Sequence, residues 1–389
     1  MHDGSGDADL TLALRVIDSL GEVDRDAWDA VAHPPGGEVC PFVSWDFLEA
    51  LEASGCVCTR TGWTPRHILA ETEDGQLLGA APAYIKTHSQ GEYVFDHGWA
   101  NAFERAGGDY YPKLQIAVPF TPVTGPRILS PDPRVRQALR AGACEIARRL
   151  DLSSLHVTFP AESEWAEAGA EDFLQRTDQQ FIWRNRGYGA YEDFLADLAS
   201  RKRKALKKER AEAQASLRIE RLSGDAITED HWDIFFACYM DTGARKWGHP
   251  YLNRLFFSLL HERMRDHVVL VMAFDGDQPI ASALNLLGSD ALYGRYWGQL
   301  EERRFLHFEL CYHQAIEAAI ERGLSRVEAG AQGSHKLARG YGPEPVYSYH
   351  WIANAGFRDA VAHYLESERA AITDEIEALG EMTPFKRGG

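Results

Sequence analysis

The chain has 389 residues, of which 45% are hydrophobic and 25% charged, and its formal net charge is −17. This composition is typical of a globular protein with a full apolar core. A broad binder of phosphate backbones is normally basic, so the acidic balance excludes that class and leaves only local contact with nucleic acid.

The first residues and the cysteines indicate where the chain works. The N-terminus is polar and acidic, unlike a signal or transit peptide, and no run of about 18 apolar residues predicts a membrane-spanning helix. The six cysteines form no CxxC pair or other zinc spacing, so no metal site is predicted. We therefore expect a cytoplasmic protein with reduced thiols.

Two parts of the chain contain matching predicted elements in the same order. In each part a helix precedes a strand, an Asp-Gly turn and a second strand, and an amphipathic helix and a short strand follow further along. The matched pairs are the helices 45–53 and 254–264, the turns Asp74-Gly75 and Asp275-Gly276, the helices 134–150 and 306–322, and the strands 155–157 and 326–328. This repetition predicts two tandem α/β domains.

The first domain is predicted to span residues 10–185 and the second residues 186–380. The first domain contains a long insertion at about residues 88–125. Its six aromatic residues between Tyr93 and Tyr111 favour an ordered structure over disorder. A terminal helix closes the second domain, and the end of the chain after it is expected to fray.

The second domain is predicted to open with a basic helix. After Ser200, ten residues hold seven cations, and the like-charge pairs Arg203–Lys207 and Lys204–Lys208 each cost about 0.2–0.5 kcal/mol. Cations in the first turn also oppose the helix dipole by about 0.3–1 kcal/mol each. A bound anion would offset both costs, so Arg203, Lys204 and Lys207 are candidate anion-binding residues. Internal salt bridges and a plain solvated face are the alternatives.

A predicted loop at residues 330–343 combines several glycines with His335, Lys336 and Arg339. Glycine lets backbone N–H groups approach a ligand closely, and the cations suit a phosphate or a carboxylate. An ordinary turn with solvated charges is the alternative. The loop follows a predicted strand directly, which is where α/β folds place functional groups.

Five segments of the chain, residues 84–99, 294–298, 305–312, 330–343 and 347–351, together resemble a known family. It is the peptidoglycan biosynthesis/recognition family of predicted N-acyltransferases, which is similar to the FemABX aminoacyl transferases and belongs to the wider GNAT acyltransferase fold. The resemblance covers nearly the whole chain. It implies tandem GNAT-like domains, each with a mixed central sheet flanked by helices. It also implies transfer of an acyl or aminoacyl group to an amine of a phosphate-bearing acceptor, such as a cell-wall precursor.

Acyl transfer to an amine needs a base, a stabilised oxyanion and aligned partners. Lys336 resembles a loop lysine that precedes a Phe/Tyr-Gly pair in FemABX proteins, here Tyr341-Gly342, and is the candidate for oxyanion or phosphate contact. Glu328, at the C-terminal end of a strand, is a candidate base. Glu309 and His335 are the other candidate bases, and a buried salt bridge is the alternative for each glutamate.

The other predicted site residues bind substrate. Arg339 and Arg295 suit an anion because a guanidinium donates two parallel hydrogen bonds. Glu92 and Asp96 suit a cationic or amine acceptor. The predicted substrate-binding set consists of Arg339, Arg295, Arg203, Lys204, Lys207, Lys86, Glu92, Asp96 and Gln332.

The donor class is predicted from a pattern and its position. GNAT enzymes that use acyl-CoA carry Arg/Gln-x-x-Gly-x-Gly/Ala between a strand and a helix, where backbone N–H groups hold the pyrophosphate. Residues 184–189 match the pattern but lie at the domain junction, which favours a linker, and residues 298–304 at the expected crossing lack it. Aminoacyl-tRNA is therefore the preferred donor, with no tightly bound cofactor. The alternatives are acyl-CoA-dependent transfer to a small amine and a catalytically silent module that recognises an anionic glycan precursor.

Overall fold

The computed structural model describes residues 11–246, 250–330 and 333–386. The α-helices of this part of the chain are α1 (Arg25–Ala32), α2 (Trp45–Ala53), α3 (His97–Arg105), α4 (Pro133–Arg149), α5 (Glu162–Ala170), α6 (Tyr191–Asp197), α7 (Ser200–Gln214), α8 (Glu229–Lys246), α9 (Arg254–Met264), α10 (Leu306–Phe308), α11 (Gln314–Glu321) and α12 (Ala355–Gly380). None of the helices in the described ranges has both the length and the apolar character that a bilayer crossing needs.

The strands fall into a large mixed sheet and a small one. They are β1 (Ala13–Ile17), β2 (Trp63–Pro65), β3 (His67–Glu71), β4 (Leu77–Ala81), β5 (Ala83–Lys86), β6 (Lys113–Ile116), β7 (Ser154–Thr158), β8 (Leu174–Arg184), β9 (Leu217–Leu222), β10 (Val268–Asp275), β11 (Gln278–Leu287), β12 (Ala291–Gln299), β13 (Arg326–Glu328) and β14 (Tyr341–Ile352). The large sheet has the order β2-β5-β6-β7-β14-β8-β13-β12-β11-β10-β9, and β1, β3 and β4 form the small sheet.

Each half of the chain contributes one parallel strand pair to this sheet. In the first half (residues 11–185) β6 runs parallel to β7, and in the second half (residues 186–386) β12 runs parallel to β13. The two Asp-Gly turns close antiparallel hairpins, β3–β4 in the small sheet and β10–β11 in the large one. Gly75 and Gly276 hold φ angles of +87° and +59° there, which glycine adopts at low cost. The predicted mixed sheet is thus confirmed, whereas the duplication of the two hairpins stays a prediction.

The two halves exchange one strand each at the centre of the large sheet. β8, from the first half, pairs with β13 and β14 of the second half, and β14 pairs with β7 of the first. Each half therefore completes its sheet with a strand of the other. The predicted domain boundary follows β8 directly and stays a prediction, because β8 hydrogen-bonds only to strands of the second half.

The predicted insertion and the predicted frayed end both contain regular structure. Residues 88–125 include α3 and β6, and β6 lies inside the sheet between β5 and β7. The expectation that the chain end frays is wrong for residues 384–386. Phe385 is 9% exposed and forms a β-bridge with Leu198, and the guanidinium of Arg186 lies 3.7 Å from its ring centroid.

A close contact between α8 and β12 gives a first prediction. A Cβ atom at Gly298 would lie 1.9 Å from the carbonyl oxygen of Cys238 in α8, so Gly298→Ala should force these elements apart. We expect a loss of about 1–3 kcal/mol in the free energy of unfolding, measured by chemical denaturation. Gly98→Ala is the matched control, because a Cβ there meets no atom within 4 Å. Equal stability of the two variants would contradict this packing.

Candidate active site at the splayed strands of the second half

The parallel strands β12 and β13 pair over a short stretch and then separate. Their register ends at Tyr293 opposite Glu328, and β12 continues to Gln299 without that neighbour. A cavity of about 110 Å³ opens between the separated strands, which we call the splay cavity. Its walls come from β11, β12, Ala329 and the helical segment that contains His307 and Tyr312.

The helical wall of the splay cavity is a π-helix. It covers Glu309–His313 between α10 and α11, and such wide turns are frequent at functional sites. Cys311 and Tyr312 of this turn line the cavity. The Tyr312 hydroxyl hydrogen-bonds Nε2 of His335 at 2.9 Å, which connects the cavity wall to the glycine-rich loop. In the sequence this segment supports the family resemblance but was not predicted to line a site. Its closely spaced aromatic and His residues are the feature that could have indicated one.

Lys336 lies behind this wall and is buried, not at the surface. It belongs to a 3-10 helix (Ser334–Arg339) and is 1% exposed. Its Nζ donates a hydrogen bond of 2.6 Å to the carbonyl of Gly330. Burial lowers the pKa of Lys336 to about 8, and the nearby Cys311 thiol opposes the shift. The lysine therefore stays mostly protonated at neutral pH and can lose its proton close to that range.

Glu328 lies at the end of β13, between two cavities. The next residue, Ala329, lines the splay cavity, and Glu328 itself lines a cleft of about 670 Å³ between the two halves. One carboxylate oxygen accepts from Arg326 Nε at 3.1 Å, and the other, Oε2, is buried without a hydrogen-bond partner among the described residues. Burial raises the pKa of Glu328 although Arg326 opposes the shift. Glu328 thus combines a raised pKa with a carboxylate oxygen that has no partner among the described residues.

Glu309 has partners for one oxygen from two helices. Its Oε1 accepts from Arg210 at 3.2 Å, from Gln214 at 2.8 Å and from Gln314 at 2.7 Å. Arg210 and Gln214 belong to α7, the predicted basic helix. This geometry fits the salt-bridge alternative, so Glu309 positions α7 against the π-helix.

Arg339 is likewise held by α7. Its guanidinium makes two hydrogen bonds, of 2.9 and 2.6 Å, to the carboxylate of Glu209, and it lies 3.3 Å from the Phe308 ring centroid. Glu209 also bonds His313 Nε2 at 3.1 Å. Glu209 therefore connects the glycine-rich loop to the π-helix, and the bidentate capacity of Arg339 is used within the chain.

Arg295 lines the splay cavity and also joins the two halves. Its guanidinium donates to the carbonyl oxygen of Phe120 at 2.7 Å, and the Tyr296 hydroxyl donates to the same oxygen at 3.0 Å. The predicted substrate contact of Gln332 lies outside the described residues. Of the predicted site residues, Arg295 lines the splay cavity and His335 bonds Tyr312 of its wall. Glu328 directly precedes the lining residue Ala329, and Lys336 is not part of the lining.

Lys86, Glu92 and Asp96 lie in a separate buried cluster of the first half. Glu92 and Asp96 bind the ammonium of Lys113 at 2.7 and 2.5 Å. Lys86 lies 3.7 Å from Glu92 and 3.7 Å from the Trp63 ring centroid. The carboxylates predicted to hold a substrate amine therefore hold an amine of the chain itself. The sequence analysis missed Lys113, which reads as a solvated lysine beside an apolar run.

The electrostatics of this cluster follow from its burial. Burial lowers the pKa of Lys86 to about 7. It raises the pKa of Glu92, whereas contact with Lys113 overcomes burial at Asp96 and holds that pKa well below its usual range. Charges paired this closely in a dry interior are costly to separate. The cluster therefore acts as an internal support for the loop that carries Glu92 and Asp96.

Some cations of α7 contact other groups of the chain, and others are exposed to solvent. Arg203 donates to the carbonyl of Ala196 at 3.3 Å, whereas Lys204 and Lys207 are exposed and form no ion pair within the described ranges. The acidic side of the helix, not its lysines, makes the contacts with the loop. The lysines remain available for a mobile anion.

Comparison with known proteins shows which family the chain is similar to. A family model described as peptidoglycan biosynthesis/recognition, FemAB-like, matches residues 19–387. The crystal structure of FemX shares 13% identity, covers 87% of this chain and 98% of its own, and superposes with a TM-score of 0.54. The C-terminal domain of a putative lysylphosphatidylglycerol synthetase from Agrobacterium fabrum shares 10% identity over 91% of this chain and 98% of its own, with a TM-score of 0.53.

A conserved protein of unknown function from Bacteroides thetaiotaomicron is similar at 13% identity over 88% of this chain and 100% of its own, with a TM-score of 0.52. At such identities these structures show the fold alone. A search of the curated proteins gave no significant match. The predicted tandem GNAT-like fold is confirmed.

Proposed function

Because the chain belongs to the FemAB-like family of peptidoglycan biosynthesis and recognition proteins, we propose that it is an N-acyltransferase. It transfers an acyl or aminoacyl group to an amine of a phosphate-bearing acceptor such as a cell-wall precursor. The observation that carries this proposal is the open splay between β12 and β13, with Glu328 at its edge. A silent recognition module has no need of separated strands beside an uncommitted buried carboxylate.

The proposed reaction forms a C–N bond to the acceptor and breaks the bond between the acyl group and the donor carrier. The amine nitrogen of the acceptor attacks the acyl carbon of the donor, forms the new C–N bond and yields its proton to Oε2 of Glu328. The ammonium of Lys336 stabilises the oxyanion that develops on the acyl oxygen. The bond to the donor carrier then breaks, and the oxygen or sulfur of the carrier leaves with the proton that Glu328 accepted, which regenerates the carboxylate. The carbonyl of Gly330, two residues after Glu328, accepts the hydrogen bond from Nζ of Lys336, which connects the helix of Lys336 to the segment that follows β13.

Aminoacyl-tRNA is the proposed donor, with acyl-CoA as the alternative. The crossing after β12 lacks the glycine pattern that holds a pyrophosphate, and it contains Glu301 and Glu302. Its arginines are paired, Arg303 with Asp275 and Arg304 with an acidic residue of α7. A pyrophosphate would meet carboxylates and committed guanidiniums there. Such a donor and nucleotide-linked acceptors occur in the cytoplasm, which is the proposed location.

The proposal is tested by assaying amide formation. The purified chain is incubated with an aminoacyl-tRNA or an acyl-CoA labelled in the acyl group, together with a UDP-linked muramyl precursor or a small amine, and products are identified by mass spectrometry. We expect label in an acid-stable amide of the precursor, formed from aminoacyl-tRNA. Label transfer only from acyl-CoA selects the alternative donor. Precursor binding without transfer from either donor indicates a silent module.

The exposed lysines of α7 are proposed to bind the phosphates of a substrate. Lys204→Glu with Lys207→Glu should weaken binding of pyrophosphate, used as a probe, by about tenfold, which is about 1.4 kcal/mol. Calorimetry at low and high salt measures this, and wild-type affinity should fall with salt because exposed charges are screened over about 8–10 Å. The control is Arg60→Glu with Arg105→Glu, which reverses two exposed cations elsewhere. Equal affinity of the two double variants, or no salt dependence, contradicts the proposal.

A further inference from the structure

A further cavity, separate from the splay cavity and from the cleft that Glu328 lines, borders the glycine-rich loop. It encloses about 330 Å³, and Gly333 of the loop is part of its wall. Four aromatic side chains from three segments of the chain also line it: Tyr93, Phe95, Phe159 and Phe181. We call it the aromatic pocket. The proposed acyl transfer does not use it.

The four aromatic residues of the pocket differ in exposure. Phe159 and Phe181 are buried at 3% and 6% exposure, whereas Phe95 is 54% exposed. Within the part of the chain that the structure describes, none of these rings packs against another aromatic ring or a cation, although such contacts are frequent elsewhere in the protein. A cavity lined by aromatic side chains that pair with no cation of the chain can attract an organic cation.

Two of these aromatic residues hold an unusual backbone conformation. Tyr93 has a φ angle of +60° and Phe159 one of +56°, in the left-handed region that costs about 1–3 kcal/mol for such residues. Tyr93 follows β5 and Phe159 follows β7, so two independent loops carry this strain at the same cavity.

The charge of the lining is negative. Asp178 of β8 and Glu375 of α12 line the pocket, and no lysine or arginine does so within the described residues. Arg176, whose charge acts on Asp178, is held by Glu368 through hydrogen bonds of 2.8 and 2.7 Å. Arg176 also donates to the carbonyl of Phe95 at 3.0 Å, but Asp178 and Glu375 are the charged side chains of the described lining itself.

One uncharged group specifies the kind of cation. Oε1 of Gln179 is buried and has no hydrogen-bond partner among the described residues, while its backbone N–H donates to Asp178 at 2.7 Å. A buried acceptor without a donor costs about 1–3 kcal/mol. An ammonium that carries N–H groups supplies that donor, whereas a quaternary ammonium does not.

We infer that the aromatic pocket binds the alkylammonium group of an amine substrate. The charges of Arg295 and Tyr296, which line the splay cavity, act on the hydroxyl of Tyr93, which lines the aromatic pocket. Its place in catalysis rests on the proposed function, whereas the binding itself does not. A substrate held there carries a positive charge in addition to the amine that reacts.

The test measures binding of n-butylammonium to the full chain by calorimetry at low ionic strength, with butan-1-ol as the uncharged probe of similar shape. We expect the ammonium to bind at least about fivefold more tightly. Phe95→Leu should weaken its binding by about two- to fivefold, because a cation over an exposed ring contributes about that factor. Tyr364→Leu is the matched control, since Tyr364 is 50% exposed on α12 and lies outside the pocket lining.

The outcomes separate this inference from the proposed function. Equal affinity for n-butylammonium and butan-1-ol, or equal effects of Phe95→Leu and Tyr364→Leu, overturns the inference even if acyl transfer is observed. Selective ammonium binding that Phe95→Leu weakens supports it even if no transfer is found. Asp178→Asn should lower the affinity and reduce its dependence on salt. An unchanged salt dependence in Asp178→Asn overturns the electrostatic part of the inference.

Discussion

Replacing Lys336 by methionine is expected to lower the turnover number by about 10²- to 10³-fold, the usual effect of removing one oxyanion-stabilising group. Lys336 is 1% exposed and its ammonium is fixed by the Gly330 carbonyl. A cation in so dry a position acts on a developing oxyanion with little competition from water. The turnover number is measured once a donor and an acceptor have been identified by the labelling assay.

Stability must be separated from catalysis at this position, because a buried lysine contributes to both. Lys336→Ala leaves a cavity and an unbonded Gly330 carbonyl, which together cost about 1–3 kcal/mol or more, whereas methionine keeps most of the volume. Both variants should lose activity equally if the charge matters. Lys336→Arg should not retain full activity, since the planar guanidinium of arginine differs in geometry from the compact ammonium of lysine. Activity of Lys336→Met within a few-fold of wild type assigns the loop a structural role.

The same lysine predicts a pH dependence of stability. Its pKa is about 8 in the folded chain and ordinarily about 10.5, so between these values the unfolded chain binds more protons than the folded chain. The free energy of unfolding therefore increases, and the folded chain becomes more stable, as pH rises from about 8 to 10.5. Lys336→Met should lose this contribution. Denaturation curves recorded across that pH range measure it against the wild type.

The parts of the fold that the sequence predicted are those with local causes. α2 and α9 begin and end at the predicted residues because an amphipathic stretch follows a capping side chain. Ser44 accepts from the Phe47 amide at 3.3 Å and Asn253 from the Phe256 amide at 3.0 Å. The Asp-Gly hairpins are likewise local. Capping and turn chemistry act within a few residues and are visible in the sequence.

The strand exchange and the pairing of site residues have distant causes. β14 pairs with β7 almost two hundred positions away in the chain, and no local pattern specifies that choice. From the sequence alone Lys113 is expected to be solvated, whereas in the fold it is paired with Glu92 and Asp96. From the sequence alone Glu309 is a candidate base, whereas in the fold it forms an ion pair with Arg210 of α7. Single-residue roles in the site therefore depend on tertiary contacts that the sequence pattern does not contain.

Glu328→Gln is expected to lower the turnover number by about 10²- to 10⁴-fold, the range for loss of a general base. Glutamine keeps the size of the side chain and can still accept from Arg326, so the change removes little but basicity. Glu344→Gln is the matched control. Glu344 lines the same cleft, but Arg184 binds both of its oxygens, so its replacement should alter turnover only a few-fold.

Stability and pH dependence distinguish a base from a structural carboxylate at Glu328. Burial raises the pKa of Glu328, so stability is lost as pH rises from the ordinary glutamate value through the raised one. Glu328→Gln should therefore be as stable as wild type or more stable at neutral pH, while its rate is low. The acidic limb of the wild-type rate profile should lie above the ordinary glutamate pKa and be absent in the variant. A variant that is inactive because it is unfolded, or active with an unchanged limb, leaves Glu328 without a role in proton transfer.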